Sequence, residues 1–204
     1  MKIDNAYKQK LQPKINECLN DFAWCKKEII SSRELITQAV EDSNLWMRYR
    51  NALDRLATVQ LGVYKGEFPP NGNPDVLEAD TPEKVLEYSS YLFRNTAVEA
   101  WVQAAAIMVG ILRIRIDSRE WFGDKIRALS KLEEAIKIEA DARNTRSVSM
   151  EATVSKYKQV VEKANEGIQL LTRADPYTRW SLYILILTII AIVAIELWRW
   201  GRGV

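Results

Sequence analysis

The sequence predicts an all-α protein, a soluble bundle of roughly five or six helices followed by one C-terminal transmembrane helix. Three observations carry this. Apolar residues recur at spacings of three and four along most of the chain. Helix-start signals stand between the periodic runs, the clearest being Thr81 before Pro82. The closing stretch, WSLYILILTIIAIVAIELWRWGRGV, has no charged residue from Trp180 to Ile195. The division expected is residues 1–175 as a cytosolic bundle and 176–204 as an anchor with a very short tail.

The first element is a helix whose narrow seam is Leu11, Ile15, Cys18, Phe22, Cys25 and Ile29. Pro13 is tolerated if it sits in the first turn. Ser31 and Glu34 form an S-x-x-E pattern that reads as a capping box opening a second helix. That helix carries Leu35, Ile36, Val40, Trp46, Met47, Leu53, Leu56, Val59 and Val63, with a break or bend near Ser43 and Asn44. The short connection makes the two helices antiparallel.

Residues 65–81 follow as an acidic Pro/Gly loop, a surface segment that serves either as a contact site or as a solvated linker. A helix starts at Pro82. From Ala97 to Leu112 it is nearly all apolar, broken by Glu99 and Gln103. Three readings compete: a central helix buried on all sides, a segment that enters a membrane when the bundle opens, or a permanent second span. About 16 residues is short for a span. Thr96 and Glu99 repeat the capping-box spacing. LRIRI alternates like a strand, but so short a run reads as the helix end.

The next helix has Phe122, Ile126, Leu129, Leu132 and Ile136 on its apolar stripe. After the polar link NTRSVS, Met150, Val154, Tyr157, Val161, Ala164, Ile168 and Leu171 repeat at four and three. Either this seam closes the intramolecular bundle, or it forms an oligomer or partner seam between chains above the membrane.

The last segment spans about 19 residues, or roughly 27 Å, against a hydrocarbon core of about 30 Å. Tyr177, Arg179, Trp180 and Tyr183 at one end and Trp198, Arg199 and Trp200 at the other are the expected interface anchors. Glu196 is the one ionisable residue inside the span and the candidate intramembrane polar site; it stands three residues before Arg199 and can pair with it.

Composition excludes several classes of activity. Histidine is absent, which removes imidazole acid–base chemistry and histidine-ligated metals. Net charge is +2 with acids and bases interleaved, unlike the footprint of a nucleic-acid binder. Neither a P-loop nor a GxGxxG occurs. Cys18 and Cys25 lie seven residues apart, about 10 Å along a helix axis, too far for a disulfide. They read as small core residues. Glu99 and Asp117 belong to no catalytic pattern.

The expected function is therefore non-enzymatic. A tail-anchored scaffold or assembly subunit would present its bundle at the cytoplasmic face of a membrane, with lipid, protein partners or its own copies as neighbours. No catalytic residue, cofactor, metal, nucleic acid or small-molecule substrate is expected. The alternative is a membrane-perturbing effector in which 97–112 and the C-terminal helix insert and oligomerise.

Overall fold

The structure, a computed structural model, describes residues 1–35, 43–70, 81–118, 122–172, 184 and 186–189. Among these residues five long helices form: α1 (Asn5–Leu35), α2 (Ser43–Lys65), α3 (Pro82–Asp117), α4 (Phe122–Thr145) and α5 (Met150–Thr172). The protein is all-α. Its extended pairing among the described residues is a lone antiparallel bridge between Lys2 and Glu67.

Direction follows from which residues meet. Phe22 stacks on Tyr49, and the Arg33 guanidinium lies 4.7 Å over Trp46, so α1 and α2 are antiparallel. Tyr49 against Phe93 and Arg55 over Tyr88 set α2 antiparallel to α3. Lys156 to Asp141 and Lys131 to Glu166 do the same for α4 and α5. Successive helices alternate, so α1, α3 and α5 all point one way.

α3 is the axis. Its first half packs with α1 and α2 around Leu86 and Phe93. Its second half packs with α4 and α5 around Trp101, Leu112 and Val160. Trp24 touches both clusters. Near the far end of α3, a Cβ built on Gly167 would lie 2.9 Å from both Leu112 methyl carbons, so the missing side chain lets α5 approach α3 closely.

Several expectations change. α1 begins at Asn5, capped by Asp4, whose carboxylate accepts from the Tyr7 amide at 2.8 Å. Pro13 is thus inside the helix, not in its first turn. The helix runs through Ser31 to Leu35, and the neighbouring Ser32 hydroxyl donates to the Ile29 carbonyl, so no capping box opens there. Of the expected second helix, residues 36–42 lie outside the described residues. Thr81 does cap α3, accepting from the Lys84 amide at 3.5 Å, with Pro82 at the helix start. Thr96 caps nothing: its hydroxyl donates to the Leu92 carbonyl inside an unbroken helix.

The loop after α2 starts pinned, not as a surface segment. Gly66 adopts φ 73°, a conformation glycine takes without penalty. The Ile3 amide then donates to the Gly66 carbonyl at 2.8 Å, and Phe68 is buried. The Phe68 amide donates to the Met1 carbonyl at 2.9 Å, and the Met1 ammonium donates back to the Phe68 carbonyl at 2.8 Å. Residues 71–80 of that loop lie outside the described residues.

Among the described residues, the helix long and apolar enough to cross a membrane is α3, not a C-terminal one, and half of its most apolar stretch is buried in the bundle. The expected span at 176–204 lies outside the described residues except at 184 and 186–189. Those five are helical and exposed, and the Thr188 hydroxyl donates to the Ile184 carbonyl at 2.7 Å.

Candidate functional site

α1 and α3 are parallel and keep one register. Lys14 donates to Glu87 at 2.5 Å, Arg94 to Asp21 at 2.9 Å, and the Trp101 indole to Glu28 at 2.7 Å; each pair is 73 residues apart. A constant offset over two heptads is the signature of side-by-side helices in a coiled-coil repeat. Tyr7 to Glu83 begins the same row. Burial and the adjacent Glu83 carboxylate push the Tyr7 phenol up to about 12. Below this polar row runs the apolar seam, where Cys18 and Cys25 are buried and free. Burial pushes both thiols up to about 12, so neither is a thiolate nucleophile at neutral pH.

The row ends at a three-helix joint. Glu28 of α1 is 4 % exposed. It accepts from the Trp101 indole of α3 and from Lys158 Nζ of α5, each at 2.7 Å. The Lys158 ammonium also lies 5.1 Å over the Trp101 ring. A buried carboxylate needs such donors, because an unpaired one would be expelled or protonated. Beside the joint a groove of about 440 Å³ opens, floored by Met108 and Val161 and rimmed by Glu34, Lys158 and Glu162. Nearer the start of α1 and α3 a cavity of about 300 Å³ is lined by Lys14, Asp21, Ser90 and Arg94. There Arg94 links Asp21 to Glu151 of α5, at 3.0 Å to the latter. Both sites fasten helices together with charged hydrogen bonds.

The residues singled out from the sequence fall into three groups. Val154, Tyr157, Val161, Ala164 and Leu171 are buried against α3 and α4 of the same chain, with Met150 and Ile168 partly buried beside them. Among the described residues the heptad seam is packed inside the bundle of its own chain. Glu99 is tied to Arg146, and Asp117 ends α3. Tyr177, Arg179, Trp180, Tyr183, Trp198, Arg199, Trp200 and Glu196 all lie outside the described residues. Among the described residues no cluster of three or more His, Cys, Asp or Glu side chains is arranged to hold a metal ion.

Sequence reasoning missed the surface of α4. Ala128, Ala135 and Ala142 are fully buried, with Leu132 beside them, and the helix packs chiefly on α5. Ile126 (51 % exposed), Leu129 (38 %) and Ile136 (40 %), expected to face the core, face outward. Small residues let two helix backbones approach, and each buried alanine then brings more neighbouring surface with it. The larger side chains, about a quarter turn or more away, are left outside. The alanine spacing of seven was the signal that could have revealed this.

No known family, curated protein or solved structure matches the chain.

Proposed function

We propose that this protein is a non-enzymatic helical scaffold, held at a membrane by its C-terminal apolar segment and joined to neighbouring proteins through the outer face of α4. The observation that carries this reading is the inversion of α4. An amphipathic helix ordinarily turns its large apolar side chains inward. Here Ala128, Ala135 and Ala142 go in together with Leu132 of the expected stripe, and Ile126, Leu129 and Ile136 are offered to solvent along one helix. Exposed apolar strips of this kind favour association. The Met150–Leu171 seam supports the scaffold by stiffening it, since it lies inside the bundle.

Leu129→Lys combined with Ile136→Lys should leave the fold unchanged, because both positions are outside the core. The assembly of the full chain in mild detergent, measured as mass by light scattering, should drop to a smaller species. A wild-type chain that is already monomeric at all concentrations, with or without candidate neighbours, would overturn the assembly reading.

A second reading is favoured by α3, which is long and apolar enough to cross a membrane. In that reading α1 and α5 sheathe α3, and the bundle opens to insert it. The Glu28–Trp101–Lys158 joint would then be the latch. Lys158→Met removes one donor from the buried carboxylate, which costs about 1–3 kcal/mol. Dye leakage from liposomes should then rise severalfold over wild type; no leakage from either form would reject this reading.

A further inference from the structure

α3 and α5 end together. Gly167 is level with Leu112, and the same step of five residues brings Thr172 level with Asp117. Trp180, where the apolar segment begins, is eight residues beyond Thr172. A chain of that length reaches at most about 28 Å. The end of α3 and the start of α4 are thus within about that reach of any bilayer that takes up the segment.

That end has an unusual surface. On α3, Ile114 is 69 % exposed and Ile111 is also exposed, and Arg113 and Arg115 alternate with them. Lys125 and Arg127 stand in the first turns of α4. Some bases elsewhere in the bundle are tied to acids, among them Arg94, Lys131, Arg143, Arg146, Lys156 and Lys163. Among the described residues, Arg113, Arg115, Lys125 and Arg127 make no ion pair. Among the described residues of this end the acids are Asp117 and Asp124, fewer than the four bases.

We infer that this tip is a lipid-contacting surface, with Ile111 and Ile114 entering the headgroup region and Arg113, Arg115, Lys125 and Arg127 binding anionic headgroups. The inference rests on the membrane-anchoring reading above and extends it from a tether to a fixed orientation. Isoleucine beside arginine suits an interface, where the apolar chain goes down and the guanidinium meets phosphate oxygens. A second copy docked here about a twofold axis would set arginine against arginine, a like-charge juxtaposition that disfavours that occupant.

The test uses the full chain in nanodiscs containing lipids with a quencher in the upper acyl chain. A fluorophore is placed on Ile114→Cys, and in a second sample on Tyr64→Cys at the opposite end of the bundle, where Tyr64 is 84 % exposed. In discs rich in anionic lipid, quenching at position 114 should exceed that at 64 by about threefold or more. It should fall towards the level at 64 in neutral discs, and also after Arg113→Glu with Arg115→Glu. Equal quenching at 114 and 64, with the chain still bound to the discs, overturns the tip while leaving the anchor standing. Equal quenching at 114 in neutral and anionic discs overturns the headgroup contact. A chain that never enters the discs removes the anchoring reading, and this inference falls with it.

Discussion

Cys18 and Cys25 show how burial decides chemistry at the residue scale. Their thiols are raised from an ordinary value near 9 to about 12 by loss of solvent. A folded state that holds a proton more tightly than the unfolded chain loses stability as pH rises past the unfolded value. The contribution is therefore complete below about pH 9 and disappears progressively towards pH 12. The urea midpoint of the wild type should fall between pH 8 and pH 10.5. Cys18→Ala with Cys25→Ala should flatten that slope, at some cost in stability at neutral pH. An unchanged slope in the double variant would mean that the alkaline loss comes from other groups, Tyr7 first among them. Both cysteines were legible as core residues from their place on the seam. The charged partners beside them were not, since Asp21 and Glu28 look like ordinary surface acids until α3 supplies Arg94 and Trp101 at the matching height.

Single helices illustrate why a sequence pattern can be right about type and wrong about direction. α1 buries five of the six seam positions read from its spacing and half-buries Phe22, and α3 starts where Thr81 and Pro82 announce it. Yet Ser31 and Thr96 have the local chemistry of a helix start and sit in continuous helices, because neighbouring apolar faces reward an unbroken helix more than a cap rewards a new one. α4 is the sharper case. Its sequence offers two stripes, one of large residues and one of alanines, and periodicity alone does not say which will meet α5. Substitution separates them. Ala135→Leu, at a fully buried position, should overpack the α4–α5 contact and lower stability by about 1–3 kcal/mol. Ile136→Ala, one residue along, should change it by no more than about 0.5 kcal/mol. Denaturant unfolding of the two variants decides the matter, and the reverse order would turn α4 round.

For the whole molecule, one uninterrupted helix passes through two cores. α3 carries Phe93 in the first cluster and Leu112 in the second, with Trp101 at the joint between them. Neither half can melt without exposing the apolar side of a helix the other half still needs. Phe93→Ala should cost about 3–5 kcal/mol. Although the change lies in the first core, helicity and tryptophan fluorescence should still be lost in one coincident transition. Two separated transitions would mean that the cores are independent.

The alternation of the five helices among the described residues has a mechanical consequence. Because α1, α3 and α5 point the same way, a pull between residue 1 and residue 172 is directed along the helices. Such a load slides α1 past α3 and α3 past α5, so the register pairs at Glu87, Asp21 and Glu28 strain together. A bundle with an even number of helices would have both ends on one side and would peel open one contact at a time. Tension applied this way runs along α3, a continuous helix of 36 residues and about 54 Å.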